Sequence, residues 1–232
     1  MSEASEKVSG VSELPLFPLP MVLFPGAPLP LHIFEPRYRE MLDNIRTTNN
    51  LFGLSYLEDL SEHEVPPAGH VGCVAEVTET QTLPDGRSNI LTVGVIRYKI
   101  ERYVERGDQY LLAQVSFFED EPEDSDQLRA SAKEVAAMFS RVARAVRKIN
   151  DERANLPDIS ETEPQRLSFL IAAAVELDTD AKQLLLEMRS TSARLARLRE
   201  ILSLVVDNYE ERARVHEVAK GNGHSGKKFE LE

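Results

Sequence analysis

His63, His70 and Cys73, with Glu62 and Glu64 beside the first histidine, are the one imidazole–thiol grouping in the chain. These donor types bind zinc, but structural zinc sites use short paired spacings and several thiolates. The competing reading places the two histidines in a polar loop and makes Cys73 a small core residue of a strand. No metal site is expected. The carboxylate runs Glu119-Asp120-Glu121 and Glu161/Glu163 have the side chains for acid–base work. Their positions suit a linker and a helix start, where negative charge complements the backbone dipole. Arg141, Arg144, Arg147 and Lys148 form either a phosphate-binding stripe or the solvated face opposite Val142, Val146 and Ile149. Gly226-Lys227-Lys228 lacks the strand and the Ser/Thr of a phosphate loop, and no other nucleotide, nucleophile-elbow or zincin motif is present. The expectation is a chain with no catalytic residues, no cofactor and no enzymatic activity.

The elements that would carry these residues fall into two halves. Seven prolines between Pro15 and Pro36 forbid a helix, because each removes an amide donor and biases its predecessor towards extended backbone. Extended segments are predicted at 14–19, 21–24 and 28–34. Pro36 suits the first turn of a helix, whose Tyr38, Met41, Leu42 and Ile45 stand at i, i+3, i+4 and i+7. Strand-like runs follow at 51–56, 71–81, 90–104 and 110–118, with Leu83-Pro84-Asp85-Gly86 as a turn. In the run at 90–104, Arg97, Lys99 and Glu101 fall on one side, and Tyr98, Ile100 and Tyr103 nearly opposite. Many short strands with one inserted helix read as a small twisted β-barrel.

The second half is helical. Ser125 or Asp126 can cap a helix reaching Ile149. Thr162 and Gln165 form a capping box before a second. Asp178 or Thr179 can start a third. Ser190 or Ser192 opens a fourth, whose apolar residues follow 3-4-3-4 spacing to Tyr209 and whose last turns are expected to project past the core. The expected organisation is a flexible tail at 1–12, a barrel at 13–118, an acidic linker at 119–126, a helical bundle at 127–219 and a flexible tail at 220–232.

Composition narrows the function classes. The net charge of −12 repels phosphate backbones, which disfavours nucleic acid as a partner. The single cysteine rules out an intrachain disulfide. The longest apolar run, residues 169–175, falls far short of the roughly 18 residues a membrane span needs. The opening MSEASEKVSG has no apolar core of a secretory signal. A cytoplasmic, non-membrane protein is expected.

The segments LPLFPLPMVLFPGAPLPLHIFEPRYREML, VGCVAEV, LPDGRSNILTVGVIRYKIERYV and YLLAQVSFFEDEPED, in that order, resemble the N-terminal substrate-binding domain of the Lon protease family. RLSFLIAAAVELDTDAKQLLLEMRSTSARLARLREIL looks like the helical segment of the same domain. The resemblance spans about residues 13–202 and implies an α+β fold: a PUA-like β-barrel followed by a helical bundle. Lon continues into an ATPase and a Ser–Lys peptidase, for which this sequence has no motif. The implied function is therefore a stand-alone module that binds unfolded or degron-bearing protein segments, as an adaptor working with a protease or chaperone. RNA binding is the alternative, since PUA-like barrels elsewhere bind RNA. The predicted contact surface is Phe34, Glu35, Arg37, Tyr38 and Arg39, an aromatic-plus-arginine edge of interface composition. The helical periodicity also allows Tyr38 to pack inward. A second surface is considered near Phe117, Phe118 and Leu128.

Overall fold

Alternation of apolar and polar residues, broken by proline and glycine, produces six strands in the first half of the chain, with two helices among the described residues there. A computed structural model describes residues 2–58, 65–152 and 158–222. The elements are α1 (Glu3–Lys7), β1 (Glu13–Leu19), β2 (Pro28–Ile33), α2 (Pro36–Arg46), β3 (Leu51–Tyr56), β4 (Val71–Thr82), β5 (Ser88–Tyr103), β6 (Leu111–Phe118), α3 (Ser125–Ile149), α4 (Pro164–Ala174), α5 (Thr179–Glu187) and α6 (Thr191–Asn222).

The strand order is β2-β5-β4-β3-β1-β6, and β6 also pairs with β5. That extra pairing closes β5, β4, β3, β1 and β6 into a ring. β1 and β3 are parallel, and the other ladders are antiparallel. The long β5 serves two neighbours along one edge: Ser88–Val93 pair with β2, and Arg97–Tyr103 pair with β6. Closure leaves β2 as an edge strand. Inside the ring, Leu14, Leu16, Leu51, Val74, Ile96, Tyr98, Ile100 and Ala113 form one apolar cluster.

No strand forms at 21–24. The flanking prolines remove ladder donors, and the segment instead crosses β5 closely. Gly26 N–H donates to the Gly94 carbonyl at 2.8 Å, and Gly94 N–H donates to the Ala27 carbonyl at 3.0 Å. A Cβ at Gly94 would overlap the Phe24 carbonyl oxygen, so only glycine fits this crossing.

The chain divides into two compact units, one of Met1–Pro122 with Phe169–Ser190, the other of Glu123–Ser168 with Thr191–Glu232. The expected bundle at 127–219 is therefore not one body, because α5 and the second half of α4 belong with the barrel. Nor do residues 2–12 form a free tail. Val8 is only 5% exposed and joins the barrel's interior cluster. The acidic segment 119–126 is not a free linker, although most of its residues are exposed. Asp120 is buried against Arg97, Glu121 N–H donates to the Arg189 carbonyl, and Asp124 accepts the Asp126 and Gln127 amides as the cap of α3.

In the second unit α3 and α6 pack together. Arg141 forms a two-pronged pair with Glu210, and Lys148 pairs with Glu217. Lys220 and His216 reach Asp151, so the late turns of α6 lie along the end of α3 instead of projecting free. At the start of α4, Glu163 rather than Thr162 caps, its carboxylate accepting the Gln165 and Arg166 amides. A two-oxygen acceptor can serve both amides at once. Residues 223–232, part of the expected flexible tail, lie outside the described residues.

Candidate functional site

Phe34 follows the last residue of β2 and is 57% exposed. It stacks on His32, ring centroids 6.0 Å apart, and the His32 ring is itself hydrogen-bonded to Asn89 of β5 at 2.7 Å. The backbone of β2 explains why this edge stays open. Gly94 donating to Ala27 sets the phase of the ladder, so Leu29 and Leu31 bond towards β5 while Pro28, Pro30 and His32 turn their backbone outward. Two of those three outward positions lack an amide hydrogen. The edge thus resists pairing with another strand yet offers carbonyl acceptors beside an exposed aromatic ring.

Pro36 then starts α2. Arg37 bonds the Glu35 carboxylate through Nε at 3.0 Å and pairs through Nη2 at 2.8 Å, with the side chains 43% and 38% exposed. The Arg37 guanidinium lies over the Tyr38 ring at 4.6 Å. Arg39 lies against Gly86 in the β4–β5 turn. Four of the five predicted contact residues, Phe34, Glu35, Arg37 and Arg39, are thus at least partly accessible on one short segment.

Tyr38 is the correction. It is 5% exposed, packed on Phe17 with centroids 4.0 Å apart, and its phenol is pushed above the usual range by burial. It stands on the same helical stripe as Met41, Leu42 and Ile45, all buried, so the inward reading of the periodicity holds.

At the second surface considered, both phenylalanines pack within the first unit. Phe117 packs against the barrel interior, and Phe118 lies under Arg97 at 4.6 Å and near Arg189 at 5.6 Å. Arg97 is what the sequence reading missed. Placed on the polar side of β5, it is 1% exposed. It donates to the Leu186 and Met188 carbonyls at 3.0 and 2.5 Å, meets Asp120 at 2.5 Å, and stands 5.2 Å from the Phe169 ring centre. The one available sign was its place in a strand beside Gly94, three residues away.

Among the described residues no three His, Cys, Asp or Glu side chains converge as metal ligands, and His63 lies outside them. Cys73 is fully buried, which pushes its thiol up to about 12. In the basic set on α3, Arg141, Arg147 and Lys148 each pair with a carboxylate, so that stripe is largely neutralised. Among the described residues no helix is long and apolar enough to cross a membrane.

The ring of strands with its edge strand and helical extension has counterparts of known structure. The Lon N-terminal domain protein of Xanthomonas campestris is similar with a TM-score of 0.60 at 24% identity, over 81% of this chain and 97% of that one. The N-terminal domain of Mycobacterium avium complex Lon protease gives 0.63 at 18% identity, over 82% and 98%. These likenesses concern the fold. The family model described as the ATP-dependent protease La (LON) substrate-binding domain matches residues 13–203. The chain belongs to the LON substrate-binding domain family. The Lon protease of Brevibacillus choshinensis is 28% identical over 88% of this chain, and Lon protease 2 of Herpetosiphon aurantiacus is 28% identical over 85%. The LON-domain chain spans about a quarter of the length of these relatives. What it matches is the substrate-binding part of Lon.

Proposed function

We propose that this LON-domain protein is a non-catalytic recognition module, acting in the cytoplasm, that takes extended protein segments on the edge where β2 passes into α2. One observation carries the reading: Phe34, a large aromatic ring at 57% exposure, is held by a stacked histidine beside a strand edge stripped of two amide donors. A ring held in place by its own chain loses little freedom on binding, which is the property of an interface anchor. The Glu35–Arg37 pair and Arg39 flank it with both signs of charge, suited to the mixed side chains and polar backbone of an unfolded or degron-bearing segment. Delivery of that segment to a protease or chaperone is the adaptor role consistent with family membership.

Fluorescence anisotropy with a labelled, permanently unfolded model protein tests this. Phe34→Ala is expected to weaken binding by about tenfold, the size of a modest anchor residue, with an unchanged melting temperature. Arg37→Glu combined with Arg39→Glu is expected to weaken it as well. Wild-type binding by both folded variants would rule the edge out. Salt-sensitive binding of structured RNA with no protein binding would replace the reading altogether.

A further inference from the structure

The residues ahead of the family match are built into the barrel. Residues 2–12 precede the matched region, which starts at Glu13. Val8 enters the apolar cluster inside the strand ring, with Ala4 and Val11 packed against that cluster. The polar side chains of the same segment fasten to the rim. Ser2 and Ser5 hydroxyls donate to the Glu119 carboxylate at 2.6 and 3.1 Å, and Lys7 pairs with Glu76 at 2.6 Å. The segment thus plugs one mouth of the barrel, the mouth whose rim carries Glu76 and Glu119.

Several features make the plug weak. α1 has five residues, too few to be helical without its docking site. It contains no buried residue of its own, and its rim bonds are mostly exposed, the pattern of a locally unstable element. Gly10, with φ of +79°, joins it to β1 as a ready swivel. Beside this strap runs a groove of about 370 Å³ lined by Gly10–Pro15 and by Asn44, Ile45, Thr48, Asn49, Leu51 and Tyr110, so the mouth continues into open surface.

We infer that residues 2–11 are a displaceable plug, and that the mouth they vacate takes a short amphipathic segment of another protein, with one or two small aliphatic side chains flanked by hydroxyl or ammonium groups. The chain's own plug displays that chemistry: Ala4 and Val8 inward, Ser2, Ser5 and Lys7 on the two rim carboxylates. The mouth is a second surface, separate from the Phe34 edge, and it stands or falls independently of it.

The test uses the full chain and a fluorescein-labelled peptide with the sequence of residues 2–11. In the wild type the tethered plug competes with the peptide. Val8→Asp is expected to raise amide exchange across residues 3–9 while β4 and β5 stay protected. It is expected to bind the peptide about tenfold tighter, because the competent fraction rises by that factor when a largely closed mouth opens. Adding Glu76→Lys to Val8→Asp should return binding towards the wild-type level. Phe34→Ala should leave peptide binding unchanged. Unimproved peptide binding by Val8→Asp with protected strands overturns the inference, as does loss of peptide binding in Phe34→Ala. Should Val8→Asp expose the strands, Ser5→Ala with Lys7→Glu loosens the plug at the rim without touching the core. The same gain is then expected, and its absence overturns the inference equally.

Discussion

The first unit contains the same three-part arrangement twice, an arginine with a carboxylate and an aromatic ring. At the α2 edge Arg37 pairs with Glu35 and covers the Tyr38 ring at 4.6 Å. In the second half of β5 Arg97 pairs with Asp120 and covers the Phe118 ring, also at 4.6 Å. The edge pair is 43% and 38% exposed, the β5 pair 1% and 3%. Solvent makes them different devices. In water the Glu35–Arg37 pair is screened and contributes little to stability, leaving both groups free to exchange partners. Without water each charge at the β5 junction depends on the other, and the carbonyls of Leu186 and Met188 complete the shell of Arg97. One arrangement is suited to meeting a partner, and the other fixes α5 and the acidic segment to the barrel.

Removing one member of each pair measures this contrast. Arg97→Met is expected to lower the unfolding free energy by about 3–5 kcal/mol, because it removes one partner of a buried charge pair. Arg37→Met is expected to change it by less than about 0.5 kcal/mol. Urea denaturation of both variants decides, and equal losses would erase the distinction. Asp120→Asn keeps the shape but removes one charge, for an expected loss of about 1.5–3 kcal/mol, the scale of a hydrogen bond to a charged group.

Cys73 sharpens the comparison further, since it lies directly across the ladder from Arg97. Burial raises its thiol from 9.0 to about 12. Above the ordinary value the unfolded chain releases a proton that the folded chain keeps. Stability is therefore fully present below pH 9 and is lost as pH rises towards 12, at up to about 1.4 kcal/mol per pH unit. Cys73→Ala is expected to flatten the decline between pH 9 and 10, below the range where the buried tyrosines contribute. The folded protein is also expected to resist a thiol reagent at pH 8, while Arg97→Met reacts in proportion to its unfolded fraction. Rapid reaction of the native wild type would show that the junction opens readily.

Local chemistry made much of the first half readable. Pro36 at the start of α2 and the 3-4-3 stripe of Tyr38, Met41, Leu42 and Ile45 place that helix from residue types alone. β3 spans 51–56 as expected, and β4, β5 and β6 fall within two residues of their predicted limits. Segment 21–24 was misread because apolar content is only half of what a strand needs. A ladder also needs donors, and prolines beside it have none. The exposed Phe34 was accessible to sequence reasoning because a residue between a proline-blunted strand and a Pro-started helix lies at a joint, where side chains have few neighbours.

By itself the sequence determined the types of most elements, the apolar side of β5 through period-two alternation, the α+β class and, through its motifs, the family. Only the tertiary structure decided which polar residues are buried. Arg97 sits on the polar side of its strand, and nothing local distinguishes it from Lys99, two residues along the same face. It is buried because Asp120, Phe118, Phe169 and the α5 end converge on it from other parts of the chain. The same holds for Val8, one of few apolar residues in a polar stretch, which becomes core only because the ring of strands has a mouth for it to enter. Periodicity records the repeating environment of one element, whereas burial of a single side chain depends on where distant elements close, and that is set by packing of the whole unit.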